Sequence, residues 1–211
     1  MSGSADHLRY AGLPEDRQVE VLTGFIETQP HLMAILVGMR ELGLPDGLLT
    51  SGAIYNSVWN WLTARPPLAG IKDADVVYFD GSDLSYEAED AIIRQADAVF
   101  RHCPIRVEVR NQARVHLWAP RKFGIAYPQL QQSADALRNF ATRTHAVAAR
   151  LGDGDNIEIV APFGLNDMFS FRLVPNPVLA NEKTHTAKAE RAKMMWPELT
   201  VVPWPGLRAS G

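Results

Sequence analysis

The stretch Lys72-Asp73-Ala74-Asp75-Val76-Val77-Tyr78-Phe79-Asp80 carries the strongest fold signal in the chain. Its β-branched and aromatic residues favour a buried strand. Successive side chains of a strand point to opposite faces, so Asp73 and Asp75 should project from the same side. Two carboxylates that lie so close repel each other unless one is protonated or a cation lies between them. The pattern therefore predicts a site for a hard cation such as Mg²⁺, which usually brings phosphate groups with it.

The composition is that of an ordinary folded protein. The chain has 211 residues, of which 46% are hydrophobic and 21% charged, so one sizeable core is expected and disorder is not. A net charge of −3 provides no overall basic field for a long nucleic acid, although a local basic groove would change that expectation. The single cysteine, Cys103, rules out an intrachain disulfide. We expect a cytoplasmic protein without a membrane segment, because no secretory layout and no apolar run of about 18 residues occurs.

Helix and strand signals alternate along the chain. Apolar spacing and end signals predict helices at residues 14–28, 30–42, 53–63, 86–100 and 182–195. Strands are predicted at residues 48–52, 71–79, 105–109, 145–151 and 157–161, with a hairpin-like connection between the last two. We interpret residues 1–13 as a flexible lead-in, 14–205 as one domain with an α-helical N-terminal extension, and 206–211 as a tail.

Three chemical features follow one another in an order that suits phosphoryl chemistry. A strand ends in Ser51-Gly52 and runs into a helix, where a glycine allows close approach of a ligand and the first N–H groups attract an anion. The strand with Asp73 and Asp75 comes next, and the strand after it carries Glu108 between inward-pointing valines. Three carboxylates around one or two Mg²⁺ ions suit in-line displacement at phosphorus.

At these residues the chain resembles a bacterial nucleotidyltransferase-like family within the superfamily typified by DNA polymerase β. The resemblance extends from about Leu32 to Trp204. The segments that carry it are residues 52–59, 70–80, 108–116 and 161–164. It implies an α+β fold, with a nucleotidyltransferase-like mixed β-sheet flanked by helices.

The resemblance also implies an activity and a set of site residues. Asp73 and Asp75 would bind Mg²⁺ or Mn²⁺, and Glu108 would bind a second metal or deprotonate an acceptor hydroxyl. Gly52 would lie against the triphosphate of a nucleoside triphosphate (NTP), from which a nucleoside monophosphate is moved to the acceptor. The acceptor stays open between a protein side chain, a small alcohol and an RNA end.

One position departs from the superfamily pattern. The superfamily has Gly-Ser where this chain has Gly52-Ala53, so the hydroxyl that usually contacts phosphate is missing. Ser51, Asn56 or Ser57 could replace it, since Asn56 and Ser57 lie one turn along the same helix. The departure also leaves an alternative function open, namely a catalytically inactive nucleotide-binding or regulatory module with the same fold.

The remaining polar residues allow two interpretations each. Lys72 either contacts a phosphate or is a solvated charge at the entry of a strand. Arg106 and Arg110 either clamp phosphates or form salt bridges with Glu108. Asn111, Arg114 and His116 either line an acceptor pocket or serve as caps and turn residues. The basic residues of the last helix, Lys183, Lys188, Arg191 and Lys193, are assigned by default to a solvated face, with contact to an anionic acceptor as the alternative.

Overall fold

The computed structural model describes residues 6–206. Its α-helices are α1 Glu15–Glu27, α2 Pro30–Glu41, α3 Gly52–Leu62, α4 Tyr86–Val99, α5 Val115–Phe123, α6 Ala134–Arg138, α7 Asn166–Phe169 and α8 Glu182–Met195. Its strands are β1 Leu48–Thr50, β2 Asp73–Tyr78, β3 Arg106–Asn111, β4 Ala148–Leu151, β5 Ile157–Val160, β6 Arg172–Leu173 and β7 Thr200–Val201. Within the described range, no helix combines the length and apolar character needed to cross a membrane.

Five strands form a mixed sheet in the order β3-β2-β1-β4-β5. β2 and β3 run parallel, whereas β1 is antiparallel to both β2 and β4, and β4 is antiparallel to β5. The strand pairing places Thr50 beside Asp75 and Asp75 beside Glu108. The α+β fold predicted from the sequence is confirmed, and so is the antiparallel connection between the last two sheet strands.

The sheet separates two apolar clusters. One face packs on α1, α2 and α3 and includes Ala74, Val76 and Val109, which alternate with the charged residues of their strands. The other face carries a smaller cluster around Val77 and Leu137. The carboxylates of β2 lie on this second face, at the end of the strand that the smaller cluster does not cover. The two-residue alternation therefore decides both the core and the location of the acidic side chains.

The N-terminal segment is more ordered than the sequence interpretation assumes. Residues 6–13 contain a short 3₁₀ helix, and both Leu8 and Tyr10 pack against the main apolar cluster. The backbone N–H of Gly12 donates to Asn166 Oδ1 at 2.8 Å. The prediction of a flexible lead-in is therefore wrong for residues 6–13, because the side chains of this segment pack against the domain. Residues 1–5 of the predicted lead-in and 207–211 of the predicted tail lie outside the described residues.

The helices α5, α6 and α7 were not predicted. Pro120 lies inside α5, and a proline normally argues against a helix interior because it lacks the N–H group. Gly124 ends α5 in the left-handed conformation, which a glycine adopts without a steric penalty. α6 is only five residues long, too short for a clear apolar period.

Candidate active site

The carboxylates of β2 open onto a small polar cleft. Asp73 and Asp75 are both accessible, while Ala74 between them is fully buried, so the predicted common face of the two aspartates is confirmed. The cleft has a volume of about 210 Å³. It is lined by Ser51, Gly52, Tyr55, Asn56, Gly70, Lys72, Asp73, Asp75, Lys188 and Arg191. Six of these residues are among those proposed from the sequence.

The turn from β1 into α3 positions the phosphate-binding candidates. Since Thr50 is opposite Asp75 in the antiparallel register, the residues that follow Thr50 come to lie beside the aspartates. Ser51 has φ 59° and ψ −119°, an uncommon conformation for a residue with a side chain, and such strain costs about 1–3 kcal/mol. Its N–H donates to Val147 O at 2.8 Å and its C=O accepts from Tyr55 N at 3.1 Å. This strained turn directs the N-terminus of α3 toward the cleft.

Gly52 is the first residue of α3, and its glycine identity is not required by neighbouring protein atoms. A Cβ atom added there would meet Asn56 Nδ2 at 3.5 Å and Tyr55 Oη at 3.9 Å, which are ordinary van der Waals distances. The φ of Gly52 is not positive, and the strained backbone conformation is that of Ser51. The first N–H groups of a helix have no partner inside the helix. Gly52 therefore leaves space for a ligand to approach these N–H groups.

Glu108 lies next to Asp75 but is engaged by arginines. Its carboxylate lies 3.4 Å from Arg106 Nη2 and 3.8 Å from Arg110 Nη2, so the salt-bridge interpretation of these arginines describes the structure. Within residues 6–206, no group of three or more His, Cys, Asp or Glu side chains is arranged to hold a metal ion. The two aspartates line the cleft and Glu108 does not. Its role as a third metal ligand stays a prediction.

Two residues proposed to contact the nucleotide lie elsewhere. Ser57 is 2% exposed, and its hydroxyl donates to Ala53 O at 2.6 Å and contacts His31 Nε2 at 3.1 Å. The prediction for Ser57 is wrong, because its position on α3 points into the core. Arg110 lies outside the cleft, where its guanidinium donates to Val109 O at 2.9 Å.

The polar residues after β3 act as structural supports. Asn111 Oδ1 accepts from the N–H groups of Asp80 and Ala113, which holds the two strand ends together. Arg114 donates to Leu84 O at 2.9 Å and forms a close ion pair with Glu89. Both residues therefore follow the cap-and-turn interpretation rather than the acceptor-pocket interpretation.

α8 contributes two cations that the sequence interpretation assigned to solvent. Lys188 and Arg191, one turn apart, line the cleft opposite the carboxylates of β2. Burial lowers the pKa of Lys188, and the charges of Asp75 and Asp73 act in the opposite direction. A signal was present in the sequence: His185, Ala189 and Ala192 form the buried stripe of α8, and Lys188 lies on that stripe rather than on the opposite face.

The electrostatics of the cleft favour a bound cation. Although Asp75 is accessible from the cleft, desolvation by the surrounding protein raises the pKa of its carboxyl group, the neighbouring Asp73 raises it further, and Lys188 partly offsets both effects. A carboxylate whose ionised form is disfavoured by a second carboxylate gains when a divalent ion binds between them. The oxygen ligands of Asp73 and Asp75 match the preference of Mg²⁺ and Mn²⁺. These two side chains therefore fit a metal ion.

Comparison with known proteins places this chain in a family. A nucleotidyltransferase family model matches residues 38–201, which include β1, α3, β2, β3 and α8. The chain belongs to this nucleotidyltransferase family. Nucleotidyl transfer is accordingly its class of reaction, and the family resemblance recognised in the sequence is confirmed.

A solved structure supports the same assignment. It is an NMR structure described as revealing a CCA-adding enzyme head domain, with 26% sequence identity and a TM-score of 0.71. The alignment covers 88% of this chain and 96% of that one. A search of curated proteins returned no match. The fold shared with that structure thus extends over 88% of the chain.

Proposed function

We propose that this nucleotidyltransferase uses Mg²⁺ or Mn²⁺ to transfer a nucleoside monophosphate from an NTP to an acceptor hydroxyl. The observation that carries the proposal is the cleft itself, in which two carboxylates and three cations lie beside the N-terminus of α3. Carboxylates suit the metal, while the cations and helix N–H groups suit phosphates.

Each side chain has a role in this proposal. Asp73 and Asp75 hold the metal, which when bound neutralises the charge that develops on the transferred phosphate and the leaving pyrophosphate. Gly52 admits the triphosphate to the N–H groups of α3, with Ser51 and Asn56 as polar contacts in place of the missing serine. Lys72, Lys188 and Arg191 bind the β- and γ-phosphates. These contacts orient the α-phosphorus for in-line attack.

The chemical step needs a base for the acceptor hydroxyl. The hydroxyl oxygen forms a bond to the α-phosphorus, the bond from that phosphorus to the bridging oxygen breaks, and pyrophosphate leaves. We assign Glu108 as the base that accepts the hydroxyl proton. Glu108 lies on β3, the edge strand of the sheet, and is paired with Asp75 of β2. Arg106 and Arg110 lie within salt-bridge distance of this carboxylate and hold it in place on β3.

The decisive test is pyrophosphate release by Asp75→Asn. With each α-labelled NTP and Mg²⁺ or Mn²⁺, the wild type should release pyrophosphate and label an acceptor, found by mass analysis of lysate components. The variant should lose roughly 10²–10³-fold or more in rate, because one carboxylate that stabilises the transition state is removed. The exposed Asp97 on α4 provides the control, and Asp97→Asn should keep the wild-type rate.

Two results would count against the proposal. If the Asp75→Asn variant turned over at the wild-type rate, Asp75 would not be required to hold the metal. Nucleotide binding by the wild type without any pyrophosphate release would instead support the inactive nucleotide-binding module, the alternative that Gly52-Ala53 leaves open.

A further inference from the structure

A second cavity adjoins the polar cleft and differs from it in character. Its volume is about 550 Å³, within the range of pockets that enclose one small organic molecule. Phe123, Tyr127 and Phe140 contribute aromatic surface, and Asn139, His145 and Asn181 contribute neutral polar groups. Lys188 lines both this cavity and the cleft of the two aspartates, so the two spaces meet at its side chain.

His145 is a buried polar side chain without a partner. It is 1% exposed, it lines the cavity, and neither ring nitrogen makes a hydrogen bond within residues 6–206. Leaving a buried donor or acceptor unsatisfied costs about 1–3 kcal/mol, so such a group in a cavity wall favours a partner that enters the cavity and is available to a ligand. Burial lowers the pKa of His145 well below its ordinary value, as do the nearby charges of Lys188, so the ring is neutral. A neutral imidazole offers one donor and one acceptor.

Asn181 adds a second unsatisfied group to the same cavity. Its Nδ2 donates to Asn139 O at 3.4 Å, whereas its Oδ1 is buried without a hydrogen bond in the described structure. The cavity thus presents an amide oxygen and a neutral imidazole between aromatic walls. Burial also raises the pKa of Tyr127 to about 12, and the charged residues of the lining, Glu182, Lys183 and Lys188, all come from α8. The matching ligand is an uncharged ring system with hydrogen-bonding edges.

The wall between the two spaces is a stacked pair of rings. Tyr55 and His145 lie parallel, with centroids 4.3 Å apart and planes 10° apart, and Tyr55 lines the polar cleft. One ligand could therefore place its anionic groups on one side of this pair of rings and an uncharged ring on the other. The part of the ligand that joins them would lie beside Lys188, which lines both spaces. A nucleotide has that division of charge.

From this arrangement, and resting on the proposed function, we propose that the aromatic cavity holds the nucleoside half of the NTP while its phosphates lie in the aspartate cleft. His145 and Asn181 are then specificity-determining residues that hydrogen-bond the base or ribose. The acceptor would approach from the opposite side, at the edge of the sheet formed by β3 and Glu108.

Two ligands separate the roles of the two spaces. Inorganic triphosphate with Mg²⁺ can occupy only the cleft, whereas a non-hydrolysable NTP analogue with Mg²⁺ can occupy both. Asn181→Ala and His145→Leu should each weaken binding of the analogue by about tenfold or more, because a satisfied buried hydrogen bond is lost. Binding of inorganic triphosphate should stay unchanged. Calorimetric titration on the full chain measures both affinities.

Controls keep the outcomes distinct. Asn156→Ala, at an exposed position between β4 and β5, should affect neither ligand. Asn181 is partly exposed at the start of α8, so its variant tests the cavity even if His145→Leu fails to fold. If the wild type binds both ligands but the Asn181 variant binds the analogue normally, the nucleoside assignment is overturned and the phosphate cleft stands. If the wild type binds neither ligand, the proposed function fails and this assignment fails with it.

Discussion

At the scale of single residues, the strained backbone and the space for a ligand belong to two different residues of the turn from β1 into α3. Ser51 takes the conformation that glycine would adopt more readily, with φ 59°, while the glycine at 52 has an ordinary backbone. A strained residue that adjoins a cleft of charged side chains is a common feature of binding sites. The sequence motif of a glycine at a strand end therefore identified a turn that lines the cleft, but not which of its two residues is strained.

Gly52→Ala tests whether the missing side chain serves a ligand. The added methyl group has room among the protein atoms, so the melting temperature should not fall, whereas inorganic triphosphate should bind about tenfold more weakly because the methyl group occupies its path. Titration calorimetry and thermal unfolding measure the two effects.

Gly24 offers a matched control for that substitution. It lies inside α1, and a Cβ atom there would meet nothing within 4 Å. Gly24→Ala should stabilise the fold by up to about 1 kcal/mol through helix propensity and leave ligand binding alone. Equal triphosphate affinity in both variants would show that phosphates do not approach Gly52.

At the scale of elements, α8 completes a cleft that β1, β2 and α3 begin. Its buried stripe docks on the domain through His185, whose ring contacts Thr142 Oγ1 at 2.9 Å and Val202 O at 3.2 Å. Docking by this stripe carries Lys188 over Asp75. A helix that reads as mostly charged in sequence thus acts as one wall of the candidate active site.

Lys188→Met measures what this wall contributes. The substitution keeps the length and apolar stem of the side chain but removes its charge, so triphosphate affinity should fall about tenfold and depend less on salt. The fold should persist, because a buried lysine is costly and methionine fits the same space.

Lys122→Met serves as the surface control for the lysine variant. Lys122 is exposed near the end of α5 and should tolerate the change without altered binding. Triphosphate affinity is measured by calorimetry at two salt concentrations. If the Lys188→Met variant bound triphosphate as tightly as the wild type, Lys188 would have only a structural role.

At the scale of the whole molecule, the N-terminal extension belongs to the packed domain. The Tyr10 ring is 5.5 Å from that of Trp61 and 5.8 Å from that of Phe169, and Gln18 Nε2 donates to Tyr10 O at 2.9 Å. Residues far apart in sequence therefore share one aromatic cluster around α3.

Tyr10→Ala should consequently destabilise the protein by about 1–2 kcal/mol, through lost aromatic contacts and burial. A lead-in without packing would predict no change. Urea denaturation measures the loss. Tyr86 is 66% exposed, and Tyr86→Ala should alter stability by no more than about 0.5 kcal/mol. Equal midpoints for the two variants would contradict the packed arrangement.

Buried histidines predict a loss of stability in mild acid. Burial lowers the pKa of His145 and His185 below the ordinary value of 6.5. Below that pH the unfolded chain binds protons at both positions while the folded chain does not, so the free energy of unfolding decreases as pH falls. The slope is at most about 1.4 kcal/mol per pH unit for each histidine.

Urea denaturation at pH 7.5 and 5.5 checks this pH dependence. His185→Gln should flatten it, since glutamine hydrogen-bonds without titrating, whereas His102→Gln at an exposed position should not. Identical midpoints at both pH values for the wild type would show that these histidines do not titrate on unfolding.

The sequence by itself determined five of the helices and the acidic face. The bounds of α1, α2, α3, α4 and α8 and the common face of Asp73 and Asp75 follow from local periodicity, because helices repeat every 3.6 residues and strands every two. Periodicity acts over one element, so it needs no knowledge of what packs against that element.

Only the tertiary structure decided which side chains meet. It turned Ser57 toward His31 in the core and brought Lys188 and Arg191 from the far end of the chain to the aspartates. It also placed the unpartnered His145 in a cavity beside the cleft. These outcomes depend on strand order and helix docking, which arise from burial of apolar faces across long sequence separations rather than from any local pattern.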